Sequence, residues 1–183
     1  MAAFKVNFPD ALAKPWLVAA CLAGIALLAC TSQAYAVRTV PTWNTPYTPA
    51  NFILASLFEG IVFSQIFLSA AKVPLQRTVV VLVGLAGVSL VGNIAVMAAQ
   101  NTALNAIANN EFAAATLAPD YSLIIAFYAL AGLAAIVLDG WALRAATSTR
   151  TRFIMRIIAG VLAFAAVFAA RTVFYSLHMT IGF

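Results

Sequence analysis

The chain has 183 residues, of which 64% are apolar and only 8% charged, with a net charge of +5. A soluble domain carries roughly 25% charged residues, so this composition excludes a water-soluble enzyme. The Lys and Arg residues are dispersed at the ends of apolar runs without aromatic–basic interleaving, which excludes a nucleic-acid-binding surface. Mean hydropathy is +1.01. The class expected is an all-α integral membrane helix bundle, one transmembrane domain over residues 1–183.

Five apolar runs are each long enough to cross a hydrocarbon core of roughly 30 Å at 1.5 Å per residue. The first, 16–37, follows Lys14 and ends at Ala34-Tyr35-Ala36, which imitates a secretory leader with its cleavage site. The run is long for a leader and reads as a true span. It holds both cysteines, Cys21 and Cys30, which lie about 13 Å apart along a helix. That is too far for a disulfide, so they read as small packing residues. Pro41, Pro46 and Pro49 break the chain before the second span, 51–72. A tight turn with Lys72, Pro74 and Arg77 leads to the third, 78–99. The segment 100–120, rich in Asn and Ala, reads as a short surface helix or a partner-docking loop and ends at Pro119-Asp120. The fourth span is 121–143, Arg150-Thr151-Arg152 marks the next loop, and the fifth is 153–178.

Lys5, Lys14, Lys72, Arg77, Arg144, Arg150, Arg152 and Arg156 fall on one side of this arrangement. Arg38 stands alone on the other, with Glu111 and Asp120. The positive-inside rule then puts the N-terminus inside and the C-terminus outside. Trp16 and Trp141 fit an inner aromatic belt, and Trp43 and Tyr47 an outer one.

Two ionisable residues fall where lipid should be. Glu59 lies about 12 Å into the second span and Arg171 about 10 Å into the fifth, both from the outer side. Asn93 falls at about 9 Å, with Tyr128 near the same level. Arg171, Tyr175 and His178 occupy positions i, i+4 and i+7, one face of a helix. A charge in hydrocarbon costs several kcal/mol, so such residues face the bundle interior and pair or mark a pathway. Glu59, Asn93, Arg171, Tyr175 and His178 are therefore candidates for a polar cavity that binds a ligand or handles protons. A plain structural Glu59–Arg171 ion pair accounts for the same pattern, and the two roles can coexist. Asp139, level with Arg156 and near Arg144, reads as half of a snorkelling ion pair. Gly84, Gly87, Gly92, Gly132 and Ala135 read as close-packing positions between helices.

Much chemistry is excluded. A single histidine, His178, cannot give bis-histidine haem ligation. Iron–sulfur cysteine clusters, a Walker loop and a Rossmann glycine fingerprint are all missing from the sequence, and no metal ligand set is evident. With no catalytic centre of its own, the protein must act through partners or a bound lipid-soluble molecule.

Two short motifs carry a resemblance. Ala34-Tyr35-Ala36-Val37-Arg38-Thr39-Val40-Pro41-Thr42-Trp43-Asn44-Thr45-Pro46-Tyr47-Thr48-Pro49 runs into Phe52 and then Phe58-Glu59-Gly60. Near the C-terminus stands Arg171-Thr172-Val173-Phe174-Tyr175-Ser176-Leu177-His178-Met179. Both resemble the dimethyl sulfoxide reductase membrane-anchor family, whose members show Tyr, Pro-x-Trp-Asn and Thr-Pro before a helix and finish with an Arg-x-x-Phe-Tyr helix. The resemblance implies a haem-free anchor that oxidises menaquinol or ubiquinol and passes electrons to an iron–sulfur subunit. A molybdopterin catalytic subunit completes such a complex in the cytoplasmic membrane of a bacterium or archaeon. Pro41, Trp43 and Asn44 are then candidates for the partner-docking loop. Family members have eight spans and this chain has five, its motifs falling at the last five positions. A further membrane protein supplying helices is one route to a full set. Two other functions stay open: a non-redox scaffold or assembly subunit, and a small transporter or channel subunit. The transporter or channel reading is disfavoured by the lack of an internal repeat or broken helix. A quinol site predicts a head-group-sized cavity at the Glu59 and Arg171 level, whereas a scaffold predicts close packing there.

Overall fold

The computed structural model describes residues 10–71, 76–143 and 148–179. Among these are five helices, all long and apolar enough to cross a membrane: α1 (Asp10–Ala34), α2 (Tyr47–Ala70), α3 (Gln76–Ala103), α4 (Tyr121–Trp141) and α5 (Thr149–Ser176). Lys5, Lys72, Pro74 and Arg144, four of the expected orientation and turn markers, lie outside the described residues.

Helix ends depart from expectation for local reasons. α2 begins inside the proline cluster, with Pro46 as N-cap at φ −64° and Pro49 in its first turn. Proline is tolerated there, because first-turn N–H groups have no intrahelical acceptor. α5 begins at Thr149 because the Ser148 side chain accepts a hydrogen bond from the Thr151 N–H at 3.1 Å. This N-cap draws Arg150-Thr151-Arg152 into the helix. α3 runs on to Ala103 and passes into a 3-10 turn, Leu104–Ala106. The segment that follows is folded rather than one surface helix. It holds an antiparallel bridge between Ala108 and Ala113 and a second 3-10 turn, Ala114–Leu117. Asn109 Oδ1 closes its tip by accepting from the Glu111 and Phe112 N–H groups at 2.9 and 2.8 Å.

α2, α3, α4 and α5 pack in a ring, each on the next, with α5 closing on α2. Their shared core is built largely from alanine on α4 and α5 (Ala131, Ala135, Ala159, Ala163, Ala166), filled by Phe58 and Val62 of α2 and Leu90 of α3. Small residues let helix backbones approach where lipid gives no hydrophobic drive to association. Gly132 shows the limit, since a Cβ there would stand 2.5 Å from Leu90 Cδ1. Gly160, not expected as a contact, does the same against Ile66 at 2.7 Å. Gly84 and Gly87, expected as contacts, have nothing within 4 Å of a Cβ.

α1 stands apart. It touches α2, yet none of its apolar stretch is buried. Cys21 and Cys30 are free and exposed on it, so they are not packing residues of this bundle. One end of the bundle carries the two structured connections, α1–α2 and α3–α4, and is called the loop end. The other carries the α2–α3 and α4–α5 connections and is called the turn end.

Candidate functional site at the loop end

The two motif segments, more than 100 residues apart in sequence, meet here. The Thr42 hydroxyl donates to the Leu177 carbonyl at 2.5 Å, and the Trp43 indole N–H donates to the Phe174 carbonyl at 3.0 Å. Carbonyls in the last turn of a helix lack intrahelical donors, so the α1–α2 loop caps α5 with side chains. Thr48 Oγ1 donates to the Trp43 carbonyl at 2.7 Å and holds the loop against α2. Thr42 and Thr48 are fully buried, which explains the threonines that flank the tryptophan.

An aromatic cluster forms around this clamp. Tyr35 stacks on Phe52 at 5.3 Å between ring centroids and meets Trp43 and Phe174 edge-on at 5.2 and 5.1 Å. Trp43 stacks on Phe174 at 5.5 Å and packs against His178 at 4.8 Å. Tyr35 and Tyr175 share a hydrogen bond, OH to OH, at 3.1 Å. That bond, more than burial, pushes the Tyr35 phenol above its ordinary value.

Arg171 sits at the cluster's base, its guanidinium carbon 3.7 Å from the centre of the Phe52 ring. Such a cation–π contact is worth about 0.5–2 kcal/mol, more when desolvated. Glu59 and Arg171 interact electrostatically, but among the described residues no direct ion pair joins them. The hydrogen-bond donors of Arg171 are likewise without an acceptor there.

Behind Arg171 lies a chain of amides. Asn93 Nδ2 donates to Asn51 Oδ1 at 2.8 Å, and Asn51 Nδ2 donates to Gln100 Oε1 at 2.7 Å. The Tyr121 hydroxyl donates to the same oxygen at 3.1 Å. Three helices are thereby joined by polar bonds spread over about two turns of α3. Gln100 Nε2 is left buried with no protein partner. These residues and Arg171 line a partly open cleft, with Ala55, Met97, Val167, Ala170 and Phe174 as its apolar walls. Its volume is about 30 Å³, room for one or two waters.

Of the five residues expected to build one polar cavity, Asn93 and Arg171 line this cleft. Glu59 is half-buried and lies beyond its lining, coupled to Arg171 and to the Tyr128 hydroxyl, which is fully buried without a partner. Tyr175 and His178 are exposed and belong to the aromatic clamp, so the i, i+4, i+7 stripe faces the loop. Of the docking-loop candidates, Trp43 turns inward, Pro41 is half-buried and Asn44 is exposed. Sequence reasoning missed Asn51, Gln100 and Tyr121. A weak signal was present, since Asn51 opens the second apolar run and Gln100 directly follows the third, and an amide at membrane depth must find a partner.

The fold and this site define a multi-pass helix-bundle membrane protein in which an arginine, without an ion pair among the described residues, stands over an aromatic ring beside an amide network. The family model for the DMSO reductase anchor subunit (DmsC) matches residues 1–177, and the chain belongs to that family. Over 177 residues it is 28% identical to the YnfH subunit of an anaerobic dimethyl sulfoxide reductase of Escherichia coli (strain K12), a match that takes in 96% of this sequence and 61% of that one. Over 173 residues it is 28% identical to the C subunit of the anaerobic dimethyl sulfoxide reductase of the same organism, with 94% and 59% matched. The protein thus spans about three-fifths of the length of these relatives. No solved structure matches it.

Proposed function

We propose that the protein acts as the membrane-anchor subunit of a molybdopterin oxidoreductase complex of DMSO reductase type, in a bacterial or archaeal cytoplasmic membrane with its N-terminus inside. Its loop end takes menaquinol or ubiquinol, and the electrons leave to an iron–sulfur subunit seated nearby. The observation that carries this reading is Arg171. A guanidinium has five N–H donors, and in this bundle they meet the face of Phe52 and an open cleft instead of a carboxylate. Unpaired polar groups at membrane depth are costly and mark sites of function.

A quinol offers two oxygens, two protons and two electrons. In this reading Arg171 and Gln100 Nε2 donate to a ring oxygen, Glu59, the carboxylate that interacts with Arg171, takes a released proton, and Phe174 with Met97 and Val167 gives the apolar wall. The cleft volume sets a condition. Pockets that enclose a ligand hold about 300–1,000 Å³, so the ring enters through the open side and displaces the Arg171 side chain.

The test uses the assembled complex in membranes. Arg171→Gln lowers quinol-driven turnover on the order of 10²-fold, the scale of losing one preorganised donor. Turnover driven by a soluble reductant that bypasses the quinol stays unchanged. Equal activity of wild type and variant in both assays contradicts the quinol reading. It would favour a non-redox scaffold, for which the small cleft volume speaks.

A further inference from the structure

A second buried polar group, its atoms unpartnered among the described residues, lies near the turn end, outside the site described above. Asp139 is 1% exposed, two residues before the end of α4, and neither carboxylate oxygen has a protein partner. Gln65 on α2 is 0% exposed, with both amide atoms unpartnered. Arg156 on α5 is 7% exposed, and its Nε has no partner. The three belong together. Arg156 Nη1 donates to the Gln65 backbone carbonyl at 3.4 Å, and Arg156 and Asp139 attract one another electrostatically. The expected snorkelling of Asp139 is therefore not what this bundle does.

Five unpartnered buried atoms on three helices at one level are too many to leave without a ligand. Each unmet group costs about 1–3 kcal/mol, and more where charged. Gly160 makes the level tight. It lies one turn along α5 from Arg156, and a Cβ there would strike Ile66 at 2.7 Å and the Phe63 ring at 3.3 Å. Those two residues flank Gln65, so α5 closes on α2 beside the polar atoms. Ala135 lies one turn before Asp139 on α4 and Ala159 three residues after Arg156 on α5, both fully buried.

We propose that Gln65, Asp139 and Arg156 enclose a buried water-binding site near the turn end of the bundle. The ligand is water because only a small molecule that both donates and accepts can serve a carboxylate, an amide and a guanidinium together. Buried waters of this kind make about three hydrogen bonds to otherwise unmet polar groups. Two or more are needed for the five atoms. The waters screen an Asp139–Arg156 pair that no direct hydrogen bond joins, and they tie α4 to α2 and α5 at the level where Arg156 already reaches the Gln65 carbonyl.

The test is a structure of the full-length protein in lipid nanodiscs at a resolution that shows ordered water. Density within hydrogen-bonding distance of both Asp139 and Gln65 is expected. A second readout is side-chain amide exchange in protein labelled with ¹⁵N-glutamine, the Gln65 signal assigned by Gln65→Met. The Gln65 amide exchanges with solvent under conditions that leave the surrounding helix backbone protected. Direct contact between the Asp139 carboxylate and the Arg156 guanidinium, with no water density between them, would overturn the proposal. So would a Gln65 amide that exchanges only when the bundle unfolds.

Discussion

Each half of the bundle sets an arginine of α5 against a carboxylate on a neighbouring helix: Arg171 with Glu59 at the loop end, Arg156 with Asp139 at the turn end. In neither pair does a direct hydrogen bond join the partners. The two halves differ in access. Arg171 is half-buried over an aromatic ring beside a partly open cleft, whereas Arg156 and Asp139 are buried between packed helices. Similar charges on one helix thus stand in different surroundings. An arginine kept next to an opening can meet a ligand from the bilayer. One enclosed by packed helices can meet only its neighbours and water.

Substitutions at the loop end sharpen this contrast. Trp43→Ala carries the largest expected effect on stability. It removes three ring contacts and the bond to the Phe174 carbonyl together. The loss is about 2–4 kcal/mol, below the figure for a fully buried tryptophan because Trp43 is half-buried. Thermal unfolding in detergent should show it, and protection of α5's last turn should fall with it. If the α5 end stays protected in Trp43→Ala, the loop is not what holds it.

Asn51→Leu comes next. Asn51 is the middle of the amide chain, so its removal strands the Asn93 amide N–H and takes a donor from Gln100. About 1–3 kcal/mol is expected for leaving such groups unmet. An Asn51→Leu, Asn93→Leu double variant should recover part of that loss, because both ends of one bond are then apolar. Additive losses in the double variant would show that the two side chains do not bond.

Tyr175→Phe is the smallest. It deletes one exposed hydroxyl contact with Tyr35 and keeps the ring. The effect on stability is within about 0.5 kcal/mol, as for a surface substitution. The Tyr35 phenol should titrate at lower pH in the variant, since the bond that raises it is gone. A Tyr35 titration unmoved by the substitution would show that the hydroxyl bond does not set it.

The number of helices was legible in the sequence, because a run of some 20 apolar residues has few alternatives to a span. The meeting of the two motifs was not. Trp43 and Phe174 are far apart in the sequence, and local pattern holds no information on which carbonyl an indole will reach. Arg171 and Glu59 stood out by being charged in apolar runs, and they do feel one another across the bundle. Their relation is looser than depth suggested, because Phe52 rather than Glu59 covers the guanidinium. Asn51 and Gln100 escaped notice because each lies at the edge of an apolar run, where an amide is ordinary until the helix proves longer than the run. Asp139 was misplaced for a geometric reason. Its position near a helix end suggested snorkelling, but its face of α4 turns to α5 and the interior.

That the loop end, and not the turn end, meets a quinol is tested most directly by photolabelling. The membrane-embedded complex is labelled with an azido-quinone, and peptides are mapped with and without excess unlabelled quinone. Competed label on segments 35–55 and 165–179, around Tyr35, Phe52 and Arg171, is the predicted result. Competed label confined to the turn-end halves of α2, α4 and α5, or label that excess quinone does not displace, would contradict it.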